Sequence, residues 1–230
     1  MRIINQCFPT AHHKPEIWKT VLKLLQDPLL AWATKLDLQS WYHNLGVHSR
    51  TACWMRFQHC QVVYPIQAMP FGWNLSSLWS HLMSQPIKAR LHELGIQLAW
   101  FVDDILILGT APEDVLQKTA LTIQLLTSLC LKLSIGKCSL TPAQEVDYLG
   151  QRINLETNTI SPTKEKKGAT QRAVRASFKG FKILPRFVAK VAGMLLEQTK
   201  YNSCLHGYSE QIMRHAARMA IFPIRKALNV

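Results

Sequence analysis

Apolar positions fall into three patterns along the chain. One is continuous. Leu98, Trp100, Phe101, Val102, Ile105, Leu106, Ile107 and Leu108 form a run interrupted only by small or acidic residues, with Asp103 and Asp104 at the centre of Trp100–Gly109, WFVDDILILG. Strand formers without a break predict a buried strand pair. The simplest form is a hairpin of Leu98–Val102 and Ile105–Leu108 whose tight turn carries both aspartates. The second pattern is partial alternation over Thr51–Ile66, which predicts a hairpin of Trp54–Phe57 and Val62–Tyr64. The third has helical spacing. Ile17, Trp18, Val21, Leu22, Leu24 and Leu25 predict a helix within Pro15–Leu30, ended by Pro28. Leu75, Leu78, Trp79, Leu82, Met83, Ile87 and Leu91 predict a helix over Leu75–Leu94 with those residues on one side. Pro86 should kink or divide it, and Gly95 should stop it. A capping-box pattern at Thr110–Glu113 opens another amphipathic helix, reaching about Leu131.

Between these elements, Ala33–Leu45 (ATKLDLQSWYHNL) reads as a strand running into a helical turn. The opening MRIINQ reads as the end of a strand. Gln67–Asn74 reads as a turn in which Gly72 allows a positive φ. After LSIGKC, Thr141-Pro142 leads to VDYLGQRI, a short strand pair, and Thr157–Pro162 reads as a turn. From Pro162 the composition shifts. Lys164, Lys166, Lys167, Arg172, Arg175, Lys179, Lys182, Arg186 and Lys190 mark a basic helical region, and a domain boundary falls near Ser161. Strands and helices without a regular βαβ alternation make the fold class α+β.

Composition changes this picture in two ways. Hydrophobic residues make up 48% of the chain, enough for a sizeable core, and 27 Lys and Arg against 14 Asp and Glu give +13. That balance points to a polyanionic partner, most often nucleic acid, against the plainer alternative of a basic surface. The six cysteines contain no CxxC pair, and no signal peptide precedes them, so they read as reduced thiols of an intracellular protein, cytoplasmic or nuclear. His48, Cys53, His59 and Cys60 match no common zinc spacing. No apolar run is long enough to span a membrane.

The acids carry the chemistry. An unpaired carboxylate in an apolar run costs several kcal/mol or more, so Asp103 and Asp104 call for a cation, unless they form an ordinary Asp-Asp turn. Asp37 stands in a similar context between Leu36 and Leu38, unless it faces solvent from an edge strand. Strands separated by a long helix can be sheet neighbours, and Asp37 would then stand beside Asp103. Such carboxylates suit two Mg²⁺ ions, with Mn²⁺ as a substitute. The matching chemistry is phosphoryl transfer to a hydroxyl, with one ion activating a 3′-OH and the other stabilising the leaving pyrophosphate.

Five segments in order, KLDLQSWYHNL, MPFGWNLSS, FVDD, LKLSIGKC and VDYLG, resemble the palm motifs A to E of retroelement reverse transcriptases. The resemblance covers about residues 35–196, and the wider run through ISPTKEK and LPRFVAKVAGMLL is most similar to the DIRS-like and gypsy-like elements. It implies an RNA-directed DNA polymerase, with the polymerase palm over residues 35–160 and a basic helical thumb or connection over 161–230. Residues 1–34 would be a remnant of the fingers and a linking helix. It implies Asp37, Asp103 and Asp104 as catalytic acids and metal ligands, with Leu38 offering a backbone carbonyl. Tyr42 would be the gate under the nucleotide sugar that excludes a 2′-OH, or else a core aromatic. Trp41 would serve in packing. Phe71 and Gly72 would meet the nucleotide and template, and Phe101 and Val102 the primer end. Lys137 would assist pyrophosphate release as general acid, or be a solvated surface lysine. Tyr148, Leu149 and Gly150 would form the primer grip. Lys164–Lys190 would hold duplex phosphates, or form a solvated helix face. The implied partners are an RNA or DNA template with its primer duplex, and deoxynucleoside triphosphates.

The chain departs from the family pattern at its ends. Only 36 residues precede Asp37, and the resemblance implies that most basic residues of the fingers are missing, of which Arg2 would be a remnant triphosphate contact. Past Leu196 no ribonuclease H acid set is evident, and Glu197 and Glu210 do not suggest one. The alternative function is therefore a truncated, non-catalytic remnant that at most binds nucleic acid. An RNA-dependent RNA polymerase would share the paired aspartates, but Tyr42 argues against it.

Overall fold

The computed structural model describes residues 2–7, 17–178, 191, 193 and 194. These fall into two compact units, one within Met1–Tyr148 and Asn154–Asn158, the other within Leu149–Ile153 and Thr159–Val230. The fold is mixed α and β with antiparallel sheets.

The first unit is built on a four-stranded sheet in the order β4-β5-β1-β6. Its strands are β1 (Trp32–Asp37), β4 (Gln97–Phe101), β5 (Asp104–Gly109) and β6 (Ser139–Ala143). The continuous apolar run is explained by position. β5 lies between β4 and β1, and Ile105, Leu106, Ile107 and Leu108 are all fully buried, which requires cover on both faces. Leu36, Leu98, Trp100, Ile105 and Ile107 belong to the main core cluster. The helix α5 (Pro112–Ser128) packs against β5, β1 and β6, while α4 (Ser76–Glu93) and α2 (Ile17–Leu25) pack against β4. A separate two-stranded hairpin joins β2 (Arg56–His59) to β3 (Val62–Pro65), preceded by the short helix α3 (Ser49–Ala52). Its two turn residues, Cys60 and Gln61, both take positive φ, as a type I′ hairpin turn requires. In the chain after β6 come β7 (Glu145–Tyr148), β8 (Gln151–Asn154) and β9 (Thr159–Pro162). In the second unit β8 neighbours β9, and the basic helix α6 (Lys164–Phe178) follows. The stretch 179–190 of the basic region lies outside the described residues.

Four local expectations are corrected. MRIINQ is not a strand end, because Arg2–Cys7 forms a helix, α1. Thr157–Pro162 is not all turn, since β9 occupies Thr159–Pro162. Within α4 the apolar face is not the inward one. Ser76, Ser80, Ser84 and Leu91 are buried, while Trp79, Leu82 and Met83 are about half exposed (45%, 47% and 50%). The small serines let the helix approach the buried rings of Trp41 and Trp100, and Ser80 Oγ accepts a hydrogen bond from Trp41 Nε1 at 2.6 Å. Pro86 lies inside α4, which continues through it.

The fourth correction is the cap of α5. Its N-cap is Ala111, whose side chain offers no oxygen, and Asp114 supplies the acceptor instead of Glu113. Asp114 Oδ2 accepts from the Thr110 amide at 2.8 Å and from Lys118 Nζ at 2.8 Å. Burial pushes the Asp114 carboxyl up, but the hydrogen bonds from Lys118 and Thr110 outweigh it, and the pKa lies below the ordinary carboxylate value. A group depressed in the folded state adds stability above its unfolded pKa and loses it as pH falls through the folded one. Asp114→Ala should therefore cost about 1 kcal/mol at neutral pH. The gap to wild type in urea melts should close as pH drops below about 4. A gap that stays constant down to pH 3 would contradict this capping role.

Candidate active site

The antiparallel pairing of β1 with β5 sets Asp37 directly opposite Asp104, and Lys35 opposite Leu106. Directly opposed residues share a face, so Lys35, Asp37 and Asp104 project from the same side of the sheet. The turn of the β4–β5 hairpin lies one residue earlier than the sequence predicts. Phe101 pairs with Asp104, so the turn residues are Val102 and Asp103, and Asp104 is already the first residue of β5. Val102 takes φ 54, a left-handed conformation that costs a β-branched residue of the order of 1–3 kcal/mol. Trp100 holds it there. Trp100 Nε1 donates to the Val102 carbonyl at 2.8 Å, and the Trp100 ring packs 5.7 Å from Trp41. Thus α4 supports Trp41, Trp41 supports Trp100, and Trp100 fixes the turn that presents Asp103.

Backbone hydrogen bonds fasten the strand of Asp37 to that turn. Leu38 N donates to the Asp103 carbonyl at 2.8 Å, and Ser134 N donates to the Asp37 carbonyl at 2.8 Å. Cys138 Sγ lies 3.3 Å from the Asp37 amide, which donates to it. Asp37 is 6% exposed, and its Oδ1 is buried without a hydrogen bond. Lys137 Nζ stands 3.9 Å from that oxygen, but its side chain is 70% exposed. The Asp103 carboxyl is raised above its ordinary value by burial, then by Asp104 and Asp37, against the pull of its own backbone amide and Lys137. Asp104 Oδ1 lies 2.7 Å from Lys35 Nζ as an ion pair, although that oxygen has no aligned hydrogen bond. Among the described residues, no three His, Cys, Asp or Glu side chains are grouped closely enough to cage a metal unaided. Asp37 and Asp103 nevertheless suit Mg²⁺, which binds through one or two carboxylates and takes its other oxygens from water and substrate phosphates. The unsatisfied, buried Asp37 oxygen is the feature such an ion would relieve.

The expected nucleotide-side residues also converge. Tyr42 and Phe71 meet edge to face at 5.2 Å, and His43 reaches the same Phe71 at 5.5 Å. Burial, then Asp103, raises the Tyr42 phenol, so Tyr42 lies within the electrostatic reach of the acids. Phe71 is 66% exposed, and Gly72 has φ 81. Two residues were not legible as contributors. Asn5, on α1, donates from Nδ2 to the Gly72 carbonyl at 2.8 Å and accepts from the Asn74 amide at 3.0 Å, so it holds the Phe71–Gly72 loop. The other is Lys35, whose spacing from Asp37 on one strand was the available signal.

Tyr148 is fully buried. Its hydroxyl lies 3.2 Å from the Ala99 carbonyl and 3.3 Å from the Asp104 carbonyl and donates to these backbone acceptors. Burial, then Asp104, raises the phenol well above its ordinary value, which keeps the donor proton in place. Tyr148 therefore braces the hairpin that carries the acids. Leu149 and Gly150 form the left-handed two-residue link from β7 to β8, with φ 49 and 75. Phe101 and Val102 are half-buried beside the turn, and Leu38 is buried.

The family model described as reverse transcriptase (RNA-dependent DNA polymerase) matches residues 4–153. The Gag-Pol polyprotein of Walleye dermal sarcoma virus is 29% identical over 147 residues, 64% of this chain. The chain spans 8% of the length of that relative. In fold, it is similar to a foamy viral protease-reverse transcriptase in complex with double-stranded DNA, at TM-score 0.66 and 17% identity, covering 84% of this chain and 32% of that one. A second foamy viral structure, with an RNA/DNA hybrid, gives TM-score 0.58 and 14% identity, covering 80% and 25%.

Proposed function

Because the chain belongs to the reverse transcriptase family, we propose that it adds deoxynucleotides to a primer 3′-OH under the direction of an RNA or DNA template. The observation that carries this reading is the end of β1 fastened to the turn of Asp103 by the Leu38 N–Asp103 carbonyl bond, with a buried, unsatisfied Asp37 carboxylate oxygen beside it. Asp37 and Asp103 would hold Mg²⁺ or Mn²⁺, with the Leu38 backbone alongside. Bound ions would supply activation of the 3′-hydroxyl and stabilisation of the leaving pyrophosphate.

The chain's own residues do the rest. Asp37 at the end of β1 and Asp103 in the β4–β5 turn would orient the ions. Tyr42 and Phe71 together shape the sugar site, and Gly72 lets the backbone come close. Lys137 would deliver a proton to the departing pyrophosphate, a role supported by its Nζ lying 3.9 Å from Asp37 Oδ1. The basic surface, α6 included, would hold duplex phosphates without reading sequence. In this reading residues 35–160 act as palm and 161–230 begin the thumb, and the motif run supports a retrotransposon of the DIRS-like or gypsy-like kind. The foamy viral neighbours were captured with double-stranded DNA and an RNA/DNA hybrid, which supports a duplex as partner.

Primer extension on poly(rA)/oligo(dT) with Mg²⁺ or Mn²⁺ tests the reading. No extension with duplex binding retained would leave the non-catalytic remnant in its place. The gate makes a separate prediction. Tyr42→Ala should lower discrimination against ribonucleotides by about 10–100-fold, because the clash with a 2′-OH is removed. Unchanged discrimination in competition assays would return Tyr42 to a packing role.

A further inference from the structure

Asp37 and Asp104 are direct cross-strand partners, and like charges so placed repel each other. The third member of that face is a cation. Lys35 lies two residues before Asp37 on β1, its side chain is only 20% exposed, and its Nζ stands 2.7 Å from Asp104 Oδ1. Asp104 is equally sheltered at 20% exposure. A lysine buried to this degree is held by its partner, and removing either one strands a buried charge. Among the described residues, Lys137 is the other cation that ion-pairs with these acids, but it faces Asp37 at 3.9 Å and is mostly in solvent. The two lysines are therefore divided between the acids, and the closer, drier one is committed to Asp104.

We propose that Lys35 is a positioning residue for the metal centre: its ammonium holds Asp104 and so confines the metal-binding carboxylates to Asp37 and Asp103. This rests on the metal reading of those two acids. Without Lys35, Asp104 is a free carboxylate on the same face, able to swing to an ion and replace one of its waters. The ion would bind more tightly but in altered geometry.

The test uses Mn²⁺ alone on the full chain, with free Mn²⁺ and the number of Mn²⁺-bound waters read by magnetic resonance. Lys35→Met should tighten Mn²⁺ binding about tenfold, the effect of removing one nearby positive charge in a partly screened site, and should remove one bound water. Asp104→Asn should leave the bound-water number as in wild type, since Asp104 is not a ligand there. Lys35→Arg, which keeps the charge, should match wild type. A bound water gained in Asp104→Asn would overturn the proposal, as would Lys35→Met with wild-type affinity and water number. Should Lys35→Met fail to fold, the water number of Asp104→Asn decides alone. Asp103→Asn tests the underlying metal reading separately: it should abolish Mn²⁺ binding, and wild-type binding there would overturn that reading itself.

Discussion

Asp103→Asn should reduce primer extension by about a thousandfold or more while leaving duplex binding intact. The substitution keeps the size and the turn but removes the charge proposed to bind the ions. Metal-borne stabilisation of the transition state is worth several kcal/mol, and each ~1.4 kcal/mol is tenfold in rate. Duplex affinity should not fall, because losing a negative charge cannot weaken attraction to a polyanion. The backbone contact from Leu38 N to the Asp103 carbonyl does not depend on the side chain, so the β1–turn link survives. Asp37→Asn should behave alike. Asp104→Asn should cost less, since its carboxylate is engaged by Lys35. Extension by Asp103→Asn at more than a tenth of the wild-type rate would remove Asp103 from the chemistry.

The second large effect is on stability. Trp100→Ala should destabilise the first unit by about 3–5 kcal/mol, the usual cost of deleting a buried large ring. The ring is 3% exposed and packs on Trp41, and Lys88 Nζ lies 5.9 Å from its centroid, with that ammonium's pKa lowered by burial. The loss also strands the Val102 carbonyl, and Val102 then holds its left-handed φ without support. Trp100→Phe keeps much of the packing and loses the N–H donor, so about 1–2 kcal/mol is expected. Urea midpoints read both. The Phe variant carries the functional corollary: while still folded, it should extend primers more slowly, because the turn bearing Asp103 is less firmly held. A cost under 1 kcal/mol for Trp100→Ala would show that the Trp41–Trp100 pair does not support the hairpin.

Much of the site was legible from residues alone, for an identifiable reason. A buried strand pair with two acids, a second acid-bearing strand and a flat aromatic beside a glycine turn are all local patterns, set by a continuous apolar run, turn chemistry and spacing. They specified β1, the β4–β5 hairpin, the turn at Gly72 and the family, and the family match over residues 4–153 agrees. What the sequence left open depends on which elements face each other. The inward face of α4 could not be read from hydrophobicity, because two tryptophans from other elements fill the space where leucines were expected, and serines make room for them. Asn5 bonds a loop far along the chain.

The same division runs through the acids. The sequence by itself determined that Asp37, Asp103 and Asp104 sit in apolar surroundings and need positive partners, since burial of charge follows from the residues around each one. Only the tertiary structure decided who those partners are. The antiparallel register of β1 and β5 put Asp37 opposite Asp104 and brought Lys35 within 2.7 Å of the latter, and register is a property of paired strands rather than of either one.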